Sequence, residues 1–214
     1  MAFLQGQDYL AEVLVVENGS LDQTFAIAQS FSEAHPQIRV IKNPRRGKGL
    51  AVQQGMLAAQ GDYRFMCDAD LSMPIQEVAN FLPPAAGDFD IAIASREARG
   101  AVRYNEPFYR HFIGRGYNLL IRWLALPGLN DTQCGFKCFR GEVAEDLFRR
   151  QTLSGWSFDV EVLFIGRLRG YRIIELPIHW YYNAESKIRV FRDSFYMGRD
   201  LLTMRLNAIR GVYG

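Results

Sequence analysis

Cysteine and histidine are scarce in this sequence, with three residues of each type in 214. An odd number of cysteines within apolar runs is typical of buried free thiols in a reducing compartment. No second Cys or His pair stands at the spacing of a zinc site, so we reject a structural zinc site. The cysteines and histidines are Cys67, Cys134, Cys138, His35, His111 and His179.

Long apolar runs and a strong net charge are also absent. No run approaches the ~20 residues that span a bilayer, and the first residues lack the pattern of a signal peptide. The formal net charge is only +2, so we expect no nucleic-acid partner. Arginine and aromatic residues concentrate in 96–122 and 187–210, a pattern that suits an anionic ligand or a membrane surface at least as well as nucleic acid. The pattern by itself leaves these alternatives open.

The apolar runs that are present are short and regularly spaced. Apolar runs over 11–16, 37–41, 63–67 and 89–94 predict strands, and the stretches between them predict helices. This alternation predicts an α/β fold with a mostly parallel central sheet flanked by helices. In addition we expect a helix from Pro74, a mobile polar loop over 97–106, helices over 108–126, 141–149, 157–168 and 194–209, and strands over 134–139 and 171–182.

Two carboxylates one residue apart, Asp68 and Asp70, follow the predicted strand 63–67. Ligands of open α/β sheets gather at the carboxyl ends of the strands, and carboxylate oxygens are the ligands that Mg²⁺ prefers. The pattern therefore indicates a divalent-cation site. The alternative is an ordinary polar turn, because Asp is common in turns.

A basic loop ends in Gly47, Lys48 and Gly49 just before a predicted helix. Backbone N–H groups at a helix N-terminus, together with a lysine, can hold a phosphate. The loop lacks the glycine spacing of the full phosphate-loop motif, so a solvated turn is the alternative. A basic loop and a metal site at one sheet edge together suit a pyrophosphate, whose charge the cation would offset.

Two later segments also carry candidate residues. Asp131 precedes the predicted strand 134–139 and suits a base, a positioning group or a simple turn residue. The segment 185–192 combines small, basic and apolar residues before the last helix. It suits a second phosphate, or else a solvated basic turn.

Seven stretches together resemble the family 2 glycosyltransferases with the GT-A fold. The resemblance is strongest to the branch of polyprenyl-phosphate sugar transferases, which includes the dolichyl-phosphate β-glucosyltransferases, and it covers almost the whole chain in collinear order. The stretches are 15–24, 43–55, 68–74, 95–96, 131–137, 156–163 and 186–205.

The resemblance implies an inverting transfer of a hexose to a polyprenyl or dolichyl phosphate, by a cytoplasmic protein held peripherally at the cytoplasmic face of a membrane. The donor it implies is a nucleotide-diphosphate sugar, UDP-glucose first and GDP-mannose second. The length of the chain indicates one domain over 1–214, in which we expect 1–96 to bind the nucleotide sugar and 97–214 to bind the acceptor.

Individual site residues follow from the matched motifs. Asp68 and Asp70 are implied to hold Mg²⁺ or Mn²⁺ on the diphosphate. A phosphate acceptor is already ionised near neutral pH, so it needs little help from a general base. The implied donor-binding residues are Glu17, Asn18, Gly19, Ser20, Lys48 and Asp68. The implied catalytic residues are Asp131, Arg96 and Lys187, and those implied to bind the acceptor phosphate are Arg96, Ser186, Lys187 and Arg189. Asp159 and Glu161 match recurring acids of the family, without an assigned role.

The sequence departs from the family in two places. The family has two acids where this chain has Glu17 and Asn18. Residues 1–9 resemble the end of the family's first helix, so we expect the chain to be truncated relative to the family. The strand before that helix would sit between 11–16 and 63–67. The alternative function is an inactive or truncated member acting as a binding module. A nucleotidyltransferase would need a Gly-rich signature near the start, which is absent.

Overall fold

Helices and strands alternate through the computed structural model, which describes residues 2–70, 72–183 and 190–214. The strands are β1 Val13–Glu17, β2 Ile38–Lys42, β3 Tyr63–Cys67, β4 Ile91–Ser95, β5 Val102–Tyr104, β6 Phe136–Arg140, β7 Ile173–Pro177 and β8 His179–Tyr181. The helices are α1 Ala2–Gln5, α2 Thr24–Ala34, α3 Lys48–Ala58, α4 Phe108–Leu124, α5 Gly141–Arg150, α6 Phe158–Leu168 and α7 Val190–Ile209, with a 3₁₀ helix over Ile75–Phe81.

The strands form one four-stranded sheet and two ribbons. The sheet has the order β3-β6-β4-β7, and the ribbons are β1-β2 and β5-β8. Both ribbons and the β4-β7 pair are parallel, which confirms the predicted α/β class. β6 runs antiparallel to both of its neighbours, β3 and β4. Strand direction depends on where the chain re-enters the sheet, and hydrophobic periodicity does not report it.

The four-stranded sheet separates two apolar clusters. Ile91 and Ile93 of β4 face the larger cluster, which includes residues of α3, α5, α6 and α7. Ala92 and Ala94 face the smaller cluster, on the side of the 3₁₀ helix. Alternate residues of a strand point to opposite faces, so all of β4 is buried. This central strand carries the chain to Arg96 with little freedom of position.

Within the described residues, β1 and β3 each pair with a single strand. β1 pairs with β2, and β3 pairs with β6. α3 packs against both β1 and β3, so the two strands share one covering helix without pairing to each other. The strand expected between them from the family resemblance stays a prediction, as does the division of the chain into two halves.

Three expectations for secondary structure need correction. The helix expected after Pro74 is a 3₁₀ helix. The loop expected over 97–106 contains β5, which pairs in parallel with β8; three residues are too few for a periodic signal. The last helix begins at Val190 rather than at 194. Among the described residues, no helix combines the length and apolarity needed to cross a membrane.

Candidate active site

The turn that follows β1 is tied to the basic loop. The Gly47 N–H donates to the Asn18 Oδ1 at 2.9 Å, and the Arg46 Nε donates to the Gly19 carbonyl at 2.9 Å. Glu17 is buried, and its carboxylate accepts the N–H of Ser20 within the same turn. The turn 17–20, which contains four of the predicted donor-binding residues, is therefore joined to the loop that leads to Lys48. The Glu17 carboxylate itself is used within the turn.

Lys48 is the first residue of α3 and contacts the predicted metal motif. Its Nζ lies 2.8 Å from the Asp68 Oδ2 and 5.2 Å from the centre of the Trp156 ring. Burial lowers the pKa of Lys48, but the carboxylates of Asp159 and Asp68 outweigh it and raise this pKa above its ordinary value. Lys48 therefore presents a firmly protonated cation to the site.

Asp68 is held in place by Gly135, which the sequence motif contains but for which we predicted no role. The Asp68 N–H donates to the Gly135 carbonyl at 2.9 Å. A Cβ atom at 135 would lie 2.0 Å from the Asp68 Oδ2, so only glycine leaves room for this carboxylate. A glycine at the start of a strand often marks such a close approach, and that is the signal by which it could be found.

Asp70 lies two residues further along the same loop and is exposed. Its Oδ1 accepts the N–H of Ser72 at 3.0 Å. The described residues contain no group of three or more His, Cys, Asp or Glu that could hold a metal ion. Mg²⁺ usually binds one or two carboxylates together with substrate phosphates. The chemistry of Asp68 and Asp70 therefore fits a divalent cation that arrives with a diphosphate.

Arg96 and Asp131 form a bidentate ion pair beside this loop. The Arg96 Nε lies 2.7 Å from the Asp131 Oδ2 and its Nη2 lies 2.9 Å from the Oδ1. Burial raises the pKa of Asp131, but the charge and hydrogen bonds of Arg96 outweigh it and lower this pKa to about 2. A carboxylate with so low a pKa is a poor base near neutral pH. This geometry favours a positioning role for Asp131, whose assignment stays a prediction.

Arg96 and Asp131 each have a further contact besides their ion pair. The guanidinium carbon of Arg96 lies 5.2 Å from the centre of the Trp180 ring. The backbone N–H of Asp131 donates to the Glu175 Oε1 at 2.9 Å, and the Asn130 side chain donates to the Glu175 Oε2 at 2.8 Å. Sequence reasoning missed Glu175; a carboxylate within the predicted strand 171–182 was its only signal.

The recurring acids of α6 have protein partners. Asp159 lies 2.6 Å from the Nζ of Lys137, a lysine whose side chain is 1% exposed. Burial raises the pKa of Asp159 although Lys137 opposes this effect. Glu161 is fully buried and accepts hydrogen bonds from the Tyr213 hydroxyl at 2.7 Å and from the Leu153 N–H at 2.8 Å. Glu161 therefore holds the loop at Leu153, and Asp159 offsets the buried charge of Lys137.

The structure brings most of the predicted residues to one region. Glu17 ends β1, Asp68 follows β3 and Arg96 follows β4, while Asp131 precedes β6. Lys48 lies within the electrostatic reach of Asp159, and Asp131 within that of Lys137. Ser186, Lys187 and Arg189, predicted to bind the acceptor phosphate, lie outside the described residues.

A solved structure supports the GT-A fold predicted from the sequence. Glucosyl-3-phosphoglycerate synthase from Mycobacterium tuberculosis, solved with Mn²⁺, UDP-glucose and phosphoglyceric acid, superposes with a TM-score of 0.62. The alignment covers 91% of this chain and 67% of that one, at 17% identity. At this identity the likeness shows the fold alone.

Curated proteins are more similar in sequence. A dolichyl-phosphate β-glucosyltransferase of Trichomonas vaginalis is 35% identical over 193 residues, which cover 87% of this chain and 57% of the relative. The human dolichyl-phosphate β-glucosyltransferase is 33% identical over 216 residues, which cover 94% of this chain and 65% of the relative. The chain thus spans less than two thirds of the length of these relatives.

The family model for glycosyl transferase family 2 matches residues 2–148, well over half of the chain. With the GT-A fold and the carboxylate pair at its sheet edge, this match establishes that the chain belongs to glycosyl transferase family 2.

Proposed function

We propose that the chain transfers a hexose from a nucleotide-diphosphate sugar to a polyprenyl phosphate. The observation that carries the proposal is a pair of partly exposed cations in one region, Lys48 beside Asp68 and Arg96 beside Asp131. A reaction that joins a diphosphate donor to a phosphate acceptor needs two such positive sites. The dolichyl-phosphate β-glucosyltransferases among the relatives support UDP-glucose and dolichyl phosphate as first choices, with GDP-mannose second.

In this proposal the donor binds against the loop after β3. Asp68 and Asp70 would hold Mg²⁺ or Mn²⁺, and a structural neighbour solved with Mn²⁺ and UDP-glucose supports such an ion. A divalent cation offsets the charge of the diphosphate and stabilises it as a leaving group. Lys48 adds a positive charge on the same side, and the turn 17–20 would contact the nucleoside.

In this proposal the acceptor phosphate binds Arg96. The Trp180 ring and the bidentate contact with Asp131 fix the plane of the guanidinium. The phosphate oxygen is already ionised and can attack the anomeric carbon directly, which inverts its configuration as the diphosphate leaves. Catalysis then rests on position and charge rather than on a base. Lys187 would supply a further charge.

Peripheral contact with a membrane is part of the proposal. α4 and α7 pack against each other, and each carries an exposed apolar stripe. We call these two stripes the α4–α7 face. The same two helices carry the exposed arginines Arg115, Arg122 and Arg205, as do helices that lie at anionic lipid surfaces. The face consists of Phe108, Leu119, Trp123, Leu202, Leu206 and Ile209, which are 50–83% exposed.

The transfer assay tests the reaction. Purified chain is mixed with dolichyl or undecaprenyl phosphate and either UDP-glucose or GDP-mannose, with Mn²⁺, Mg²⁺ or EDTA. We expect lipid-linked hexose with a divalent cation and none with EDTA. Asp70→Ala should abolish transfer with a modest effect on folding, whereas Asp62→Ala, on an exposed loop, should not. Nucleotide-sugar binding without transfer would refute the enzyme and favour the binding module. Transfer retained by Asp70→Ala would refute the metal assignment.

Vesicle sedimentation tests the α4–α7 face. We expect the chain to sediment with vesicles containing anionic lipid, and Trp123→Ser combined with Ile209→Ser to release it. Leu168→Ser, an exposed apolar residue at the end of α6, is the matched control. Equal sedimentation of all variants would contradict the assignment of this face.

A further inference from the structure

Lys48 lies at the centre of the acidic region of the site. Its ammonium contacts the Asp68 Oδ2 at 2.8 Å, and its charge interacts with those of Asp70 and Asp159. The Trp156 ring bounds it on another side, with its centre 5.2 Å from the Nζ. The carboxylates around this cation are also ligands that a divalent ion would seek.

Asp68 is fixed whereas Lys48 can move. The backbone N–H of Asp68 donates a hydrogen bond to the Gly135 carbonyl at 2.9 Å, and the Asp68 carboxyl group lies directly against Gly135. Lysine carries its charge on a flexible four-carbon stem, and the Lys48 side chain is 22% exposed. When both a divalent cation and Lys48 approach this carboxylate, their like charges repel. Lys48 is the partner that can leave.

We propose that Lys48 is an internal counter-ion of Asp68 that competes with the divalent cation and transfers to the diphosphate when the nucleotide binds. The proposal rests on the proposed function only in taking a nucleoside diphosphate as the ligand. The diphosphate gives Lys48 an alternative anionic partner and frees the Asp68 oxygen. Metal and nucleotide therefore bind cooperatively, and each raises the affinity of the other by the same factor.

Binding measurements test this without any transfer reaction. The affinity for Mn²⁺ alone is read from the electron paramagnetic resonance of the free ion, and the affinities for UDP and GDP by calorimetry with and without Mn²⁺. We expect Lys48→Met to bind Mn²⁺ alone about tenfold more tightly than the unaltered chain, within the usual range of coupling. Its affinity for UDP or GDP with Mn²⁺ should fall, and the cooperativity should largely disappear.

Two further variants separate this effect from altered folding. Lys48→Arg keeps the positive charge and should bind Mn²⁺ alone as the unaltered chain does. Lys42→Met removes a lysine on β2, where the Nζ lies over the Phe25 ring, and should change none of these affinities.

A Lys48→Met variant that binds Mn²⁺ alone no more tightly than the unaltered chain would overturn the proposal. If that variant does not fold, the unaltered chain still decides, since absence of cooperativity between Mn²⁺ and both nucleotides also overturns it. Cooperative binding without transfer to any polyprenyl phosphate would refute the proposed function and leave the role of Lys48 standing.

Discussion

Replacing Gly135 by alanine is expected to disable the site while leaving the fold in place. The new Cβ would lie 2.0 Å from the Asp68 Oδ2 and 2.3 Å from its Cγ, whereas ordinary contact begins at 3.4 Å. The hydrogen bond from the Asp68 N–H to the Gly135 carbonyl holds the two backbones together. The carboxylate must therefore rotate away by about 1 Å or more, a displacement that can lower a rate about 100-fold.

The cost to folding should be smaller than the cost to function. Gly135 is not among the residues with positive φ, so its backbone accepts an alanine without strain. Overpacking of this kind costs about 1–3 kcal/mol, and a chain of this size loses about 2–4 °C of thermal midpoint per kcal/mol. The assay compares the rate of hexose transfer, UDP binding with Mn²⁺ and the thermal midpoint. Gly155→Ala is the control, because nothing lies within 4 Å of its Cβ position.

A Gly135→Ala variant that binds UDP with Mn²⁺ and transfers hexose like the unaltered chain would refute this reasoning. A double-mutant cycle sharpens the test, since Gly135→Ala acts only through Asp68. Asp68→Ala and the double variant should therefore have equal rates, a strongly non-additive result. An additive result would mean that alanine at 135 acts through other contacts.

Three further predictions concern the groups around the site. Glu161→Gln should lower the free energy of unfolding by about 1–3 kcal/mol, because an amide replaces one carboxylate oxygen and buried N–H donors lose that acceptor. Urea denaturation measures this loss, and the exposed Glu142→Gln should leave the free energy of unfolding unchanged. The pKa of Asp131 is lowered from 3.8 to about 2, so its ion pair with Arg96 stabilises the fold fully above pH 3.8. This stabilisation is lost as the pH falls to about 2. Urea midpoints at several acidic pH values should show this loss, and Asp131→Asn should lack it. Arg96→Lys should raise the acceptor KM about tenfold at unchanged donor affinity, because a lysine cannot make the bidentate contact with Asp131 that orients the cation. An unchanged acceptor KM would contradict the acceptor assignment.

Local pattern was sufficient for the elements that meet at the site. The apolar run 63–67 coincides with β3, and the carboxylates that follow it lie at the sheet edge as expected. Periodicity reports which residues are buried, and a parallel sheet gathers the ends of its strands. Asp68 and Lys48 could therefore be placed in the same region from sequence alone.

Contacts between distant segments could not be predicted in this way. The direction of β6 decides that Gly135 meets Asp68, and no local signal reports this direction. Glu175 contacts Asp131 from a strand 44 residues further along the chain. Such contacts depend on three-dimensional closure of the sheet, which is invisible to the spacing of apolar residues.

The cations of the site have protein partners before any substrate arrives, and the two sides of the site differ in how those partners can respond. The Lys48–Asp68 pair is held by one contact, and both side chains reach solvent, at 22% and 31% exposure. Asp131 is fully buried and uses both oxygens on Arg96. Releasing it would leave an unpaired buried charge, which is strongly destabilising.

A guanidinium has five N–H donors, so Arg96 can bind an acceptor phosphate with its remaining donors while still holding Asp131. On the proposed assignment, the donor side would bind by exchange of ion partners and the acceptor side by addition. For this reason we expect nucleotide affinity to depend on the divalent cation and acceptor affinity to be nearly independent of it.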